Sequence, residues 1–265
     1  MDRENKFAEQ GINLRRMRNF IQDECQRSVK DLELEVDLNG DQQYALMLKL
    51  SKLQWYVTLK NEFTAGAKLK YEEEFHSVML EDLWELLKPG ARRESRITKQ
   101  WIDIGFQGAD PVTDLRGTGL LGLKMLHSFV KGHTKKVTPM FQLSCQEETF
   151  YFFCVTGLNI SQKLVMSLNN VPKTKTTEEL IDLDVPLLNH LGKIKDKEAF
   201  RRAINKLYFK CFEEFHERWV ARRPVNIMEF NQFLGEVFSG AFKRKLPDIL
   251  HAHFNPLTAV DSNSE

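Results

Sequence analysis

The sequence predicts an all-α fold of seven to nine helices, on three observations. Turn-forming residues are scarce, with 14 glycines and 8 prolines in 265 residues, roughly 8% together against roughly 12% in average usage. The long apolar segments repeat at three and four residues, the period of a helix face. Alternation of strand type is confined mainly to one short run, LELEVDL at 32–38, and one run does not make a sheet. With 42% hydrophobic residues there is apolar material for one large core or two small ones, and most of the 19 phenylalanines are expected to fill it.

The first helix is read over residues 9–27, where Ile12, Met17, Phe20, Ile21 and Cys25 fall close to one stripe. A turn signal, LNGDQQ at 38–43, precedes a second helix through Tyr44, Met47, Leu48, Leu50, Trp55 and Leu59, interrupted at Gly66. Leu69 to Leu87 carries Phe75, Val78, Met79, Leu83, Leu86 and Leu87 at helical spacing, and Lys88, Pro89 and Gly90 stop it. A basic linker, ARRESR, leads to a short helix with Ile97, Trp101 and Ile104 on one side, ending near Gly105. Residues 106–119, FQGADPVTDLRGTG, should break regular structure, and a helix resumes from Leu120 to Val130 through Leu123, Leu126 and Phe129. Phe150 to Leu168 is apolar almost all round, a buried helix or a buried strand, and its length argues for helix. The polar stretch 171–186 reads as a surface loop. Lys197 to Trp219 and Asn226 to Phe242 are the last two helices, and PLTAVDSNSE is a frayed tail.

Composition excludes several function classes. With 38 basic and 37 acidic side chains the net charge is +1, so no polybasic nucleic-acid binder is expected. The longest apolar stretch, Phe150 to Val155, is far short of the roughly 20 residues of a membrane span. The N-terminus MDRENKFAEQ is charged where a signal peptide needs its apolar segment, so a cytoplasmic protein is expected. Cys25, Cys145, Cys154 and Cys211 lack CxxC spacing and read as buried free thiols. No GxxxxGK loop, GxSxG or HExxH occurs, and the scattered histidines give no set of three or four converging metal ligands, so no metal site is expected.

One segment, WIDIGFQGADPVTDLRGTGLLGLKML, has a character of its own. Gly105, Gly108, Gly117 and Gly119 permit backbone conformations or close approaches that side chains forbid. Pro111 fixes its own φ, while Thr113 and Asp114 can cap the following turn. Arg116 lies between these devices, its guanidinium held on a braced loop at the mouth of a helix. Taken by itself, Arg116 is either a presented cation or a structural arginine paired with Asp110 or Asp114. Asp114 reads as a cap or brace rather than a proton carrier, Trp101, Phe106, Leu123 and Leu126 read as core, and Gln107 either ties the loop or meets a partner.

The same residues resemble the ELMO (engulfment and cell motility) domain, in its small ELMO-domain-containing branch. Trp101, Gly105, Phe106, Gln107, Pro111, Thr113, Asp114, Arg116, Gly117, Gly119, Leu123 and Leu126 match the family's Trp, GFQ, P-x-T-D-x-R-G-x-G and L-x-x-L, twelve positions in twenty-six. YFFCVTGLNIS at 151–161 is similar to the family's second apolar segment, with Phe152 and Cys154 where proline and alanine are more usual. KLYFKCFEEFHERW and IMEF also fit. The resemblance implies a single globular multi-helix ELMO domain over 70–245, an N-terminal helical extension over 1–69 packing on it, and a C-terminal tail over 246–265.

For function, the resemblance implies a GTPase-activating protein for small GTPases of the Arf and Arf-like group. Arg116 then corresponds to the arginine on which activity depends, with Gln107, Asp110, Pro111, Thr113, Asp114, Gly117 and Gly119 supporting it. An arginine supplied in trans is worth about 10³ to 10⁵ in rate, and GTP and magnesium would be carried by the GTPase, leaving this chain no cofactor of its own. The alternative is a non-catalytic interaction module, as in the longer ELMO proteins that scaffold an exchange factor and lack the arginine motif. The basic runs ARRESR, KGHTKK and Arg222–Arg223 leave peripheral association with organelle membranes open, against a default of solvated surface.

Overall fold

The computed structural model describes residues 40–169 and 180–256, with side chains from Lys49 onward. The helix expected over 9–27 and the alternating run at 32–38 lie outside the described residues. Among the described residues every regular element is helical, and no strand occurs. The chain divides into two compact units, residues 1–62 and 63–265. Residues 40–62 of helix α1, Gly40–Ala65, supply the described part of the first unit. There the Lys60 ammonium lies 5.9 Å from the centre of the Tyr56 ring, one helical turn back.

The second unit contains α2 (Glu73–Leu87), α3 (Gly119–Gly132), α4 (Thr134–Ser144), α5 (Phe153–Leu168), α6 (Asp184–Leu188), α7 (Lys197–Arg222), α8 (Phe230–Glu236) and α9 (Lys243–Phe254). Helix α3 packs on α2, α5 and α7, and α7 packs in turn on α5 and α9. The apolar-all-round segment after Phe150 is a helix, as its length requires, and twelve of the sixteen residues of α5 are buried. Asp196 starts α7 by accepting the Ala199 N–H at 2.6 Å, and Arg223 ends it in the left-handed region. The face between these ends carries Phe200, Ile204, Leu207, Tyr208, Cys211, Phe212, Phe215 and Trp219, all buried. Its aromatic rings form a continuous core: Phe212 meets Phe129 at 4.8 Å and Phe153 at 4.9 Å, Tyr151 meets Phe215 at 5.3 Å, and Trp219 meets Phe233 at 5.3 Å.

Several expected elements differ. Helix α2 starts at Glu73 rather than Leu69. Its buried stripe is Leu80, Leu83, Trp84 and Leu87, while Phe75 and Val78 face outward. Both stripes have helical period, and which one is buried depends on where α3 lies. The short helix after the linker is a 3₁₀ turn, Lys99–Ile104, which leaves Ile97 outside it and exposed. Helix α4 follows α3 directly and was not legible from the chain's periodicity. Within the stretch read as a surface loop, Leu180, Ile181 and Leu183 are buried and α6 begins at Asp184. Of the cysteines, Cys154 and Cys211 are buried free thiols, but Cys145 is exposed.

At the C-terminal end the helix does not stop at Phe242. A π-helical stretch, Val237–Phe242, joins α8 to α9. The widened turn shifts the apolar face in phase, so that Phe238 and Phe242 are followed by Leu246 and Leu250 in the core. Residues 246–254, read as the start of a tail, are therefore helical and packed on α6 and α7. The buried Glu214 carboxylate accepts from Arg218 on its own helix and from Lys245 on α9, tying the two helices together.

Candidate functional site

The motif folds around a tryptophan. Trp101 is buried, donates its indole N–H to the Arg96 carbonyl at 2.8 Å, and meets Trp84 and Phe106 edge-on at 5.7 and 5.8 Å. The Arg93 guanidinium lies 3.9 Å from the centre of the Trp101 ring and pairs with Glu81 on α2. After the turn, Gly105 adopts φ 85°, and a Cβ there would fall on the backbone of Phe152 and Phe153. This close approach lets the Gly105 carbonyl accept the Val155 N–H at 2.9 Å, satisfying a donor in the first turn of α5. Phe106, fully buried, locks the segment from below.

The remainder of the loop is not irregular: Pro111–Gly117 forms a 3₁₀ turn. Asp110, not Thr113 or Asp114, caps it, accepting the Val112 N–H at 3.1 Å, and Pro111 occupies the first position, where no N–H is needed. Thr113 donates its hydroxyl to the Asp110 carbonyl at 2.8 Å. Arg96 donates Nη1 to Asp110 at 2.8 Å and Nε to Glu73 at 2.5 Å, so the linker arginine pins the cap to the start of α2. Asp114 accepts the Gln107 backbone N–H at 2.8 Å, closing the loop on itself. Burial raises the Asp114 pKa, while the Gln107 amide and the charge of Arg116 pull it back. The exit is Gly119, at φ 51°, where a Cβ would sit 2.5 Å from the carbonyl oxygens of Ala67 and Leu69. Leu120 then donates to the Leu69 carbonyl at 2.9 Å, and Leu123 and Leu126 bury α3 in the core.

Arg116 occupies the last turn of this 3₁₀ segment, with its side chain exposed. Among the described residues it makes no hydrogen bond or ion pair: Asp110 is paired with Arg96, and Asp114, which accepts the Gln107 amide, feels the Arg116 charge only through space. The positions expected as core, Trp101, Phe106, Leu123 and Leu126, are all buried. Gln107 contributes its backbone to the loop while its side chain is exposed. Gly117 lies against the Gln162 side chain on α5, whereas Gly108 faces open space and is not required by packing. The residues missed from sequence are Arg93 and Arg96. Both come from the ARRESR run, where a cluster of arginines beside Trp84 and Trp101, with Glu73 and Glu81 upstream, was the available signal.

Chemically the arrangement presents one planar, permanently charged group on a rigid turn, suited to an anion that arrives from outside. Among the described residues no group of three His, Cys, Asp or Glu side chains is placed to hold a metal ion, and no helix is long and apolar enough to cross a membrane.

Comparison with known proteins is consistent along the chain. The model of the ELMO/CED-12 family matches residues 61–234. ELMO domain-containing protein 2 of Bos taurus is 30% identical over 236 residues, covering 87% of this chain and 74% of that protein. ELMO domain-containing protein B of Dictyostelium discoideum is 32% identical over 188 residues, covering 70% and 60%. ELMO domain-containing protein 1 of Mus musculus is 29% identical over 233 residues, covering 79% and 67%. No solved structure matches the sequence. Since the family model spans well over half of the chain and takes in the whole of the braced turn, the chain belongs to the ELMO/CED-12 family.

Proposed function

We propose that the protein stimulates GTP hydrolysis by a small GTPase of the Arf or Arf-like group, by inserting Arg116 into the GTPase site. The observation that carries this reading is that Arg116 is exposed and without an ion pair among the described residues, while Asp110 is paired with Arg96 and Asp114 accepts the Gln107 amide. A guanidinium needed only to brace the loop would be spent on Asp110 or Asp114. In the proposed complex the GTPase carries GTP and magnesium and orients the attacking water. Arg116 adds the missing positive charge where negative charge is redistributed in the transition state. The chain needs no cofactor of its own for this role.

The test is GTP hydrolysis by a panel of purified Arf and Arf-like GTPases, with and without the protein. Arg116→Lys keeps the charge but replaces the planar fork by a point charge on a flexible stem. It is expected to retain its melting temperature and GTPase binding and to lose about a hundredfold or more of the stimulation. Near-normal stimulation by the lysine variant would eliminate the arginine mechanism. Absence of stimulation by the wild type, with binding preserved, would leave a non-catalytic interaction module instead.

A further inference from the structure

Away from the arginine turn, the KGHTKK run meets helix α7 at a single aromatic ring. Phe209 is buried, with His133 stacked on it at 4.4 Å. Three ammonium groups surround the ring: Lys136 at 5.2 Å, Lys210 at 5.4 Å and Lys206 at 5.7 Å from its centre. They come from two helices, α4 and α7, far apart in sequence. One carboxylate answers them. Glu213 holds Lys210 at 2.5 Å and reaches Lys136 at 3.5 Å. Lys206 forms no ion pair among the described residues.

The surroundings add to the positive field rather than cancel it. Lys135 and Lys136 lie in the first turn of α4, which has no acidic residue there and no side-chain cap, the reverse of the usual complement to a positive helix end. Arg202 stands one helical turn before Lys206 on α7, and after burial these two charges push the His253 pKa down. Burial and the neighbouring Lys210 and Lys136 push the Lys206 pKa down, with Glu213 pulling the other way. Holding like charges this close costs free energy, and the single carboxylate of Glu213 offsets that cost only in part, leaving three ammonium groups against one anion. A chain that needed these lysines only for solubility would gain by spreading them apart.

We propose that Lys136, Lys206 and Lys210, gathered around Phe209, form a binding site for a phosphate-bearing anion, either a phosphorylated lipid headgroup or a soluble phosphate ester. An ammonium triad suits phosphate because each ammonium has three N–H donors, so Lys136 and Lys210 keep donors beyond those given to Glu213 and all three can reach a phosphate oxygen. The site is distinct from the arginine turn in chain position and in residues.

The experiment uses the full chain. Inorganic phosphate and inositol trisphosphate are titrated at constant ionic strength, followed by melting temperature and by equilibrium binding. Phosphatidylcholine vesicles with and without phosphatidylserine or phosphatidylinositol bisphosphate form the second arm. The wild type is expected to bind phosphate esters, and Lys206→Gln and Lys136→Gln each to weaken binding about fivefold. Lys99→Gln, which removes the same charge from an exposed position outside the cluster, is expected to leave binding unchanged. Because Lys206→Gln relieves like-charge repulsion, its melting temperature without ligand should not fall. Should it fall, Lys136→Gln, on a different helix and well exposed, decides the matter. Binding to acidic vesicles as well as to the soluble ester identifies a headgroup site, and binding to the soluble ester alone identifies a site for a free phosphate compound. No binding in either arm, or equal loss in Lys99→Gln, overturns the proposal.

Discussion

Arg96 shows how a side chain remote from the proposed chemistry sets its geometry. It bridges Glu73 and the capping carboxylate of Asp110, and thereby occupies one of the two aspartates beside Arg116. These ion pairs are partly exposed, so removing them should cost about 1 kcal/mol or less in stability. Displacing a positioned group by about 1 Å can cost about a hundredfold in rate. Arg96→Met is therefore expected to lower stimulated hydrolysis about tenfold or more while the melting temperature moves only slightly. Equal loss of stability and stimulation would reduce Arg96 to a general structural role. Trp101 is the opposite case: its ring is buried among Trp84, Phe106 and Arg93. Trp101→Ala is expected to cost about 3 to 5 kcal/mol in chemical denaturation, and a cost below about 1 kcal/mol would contradict the packing described.

At the scale of elements, the turn from the first 3₁₀ segment to α5 rests on backbone contact through Gly105. Its φ of 85° and the absence of room for a Cβ act together. Gly105→Ala is thus expected to destabilise by about 3 kcal/mol or more. Gly108, three residues on, has no positive φ, and a Cβ added there would meet nothing within 4 Å. Gly108→Ala should stay within about 0.5 kcal/mol of wild type. Urea unfolding of the pair measures both, and similar midpoints would show that the approach of the Gly105 backbone to α5 contributes little. The comparison also separates two glycines that look alike in the sequence.

At the scale of the whole molecule, the segment before α5 is joined to α7 by a buried polar pair. The Tyr151 hydroxyl lies 2.9 Å from His216 Nδ1, and burial lowers the His216 pKa from 6.5 to about 4. Between these values the unfolded chain binds a proton that the folded chain resists, so stability falls with falling pH. The contribution is fully present above about pH 6.5 and is lost as the pH approaches 4. His216→Phe should flatten the slope of melting temperature against pH within that window, relative to wild type. An unchanged slope would show that His216 takes up its proton in the folded protein without cost.

Helical period, the scarcity of glycine and proline, and the position of the arginine motif are local properties, and the sequence by itself determined all three. So too were α5, α7 and the burial of Trp101, Phe106, Leu123 and Leu126. Periodicity defines a stripe but not its neighbour, which is why Phe75 and Val78 of α2 are exposed while Leu80 and Trp84 are buried. It also cannot register a phase change such as the π stretch at Val237–Phe242, which carries the last helix on to Phe254. The partners of Asp110 and Asp114 were undecided for a related reason: Arg96, Gln107 and Arg116 are all near enough in sequence to compete. Only the folded path places the Arg96 guanidinium and the Gln107 amide on the two carboxylates. The lysines around Phe209 became a cluster in the same way, when α4 was laid against α7 and charges more than sixty residues apart came to share one ring.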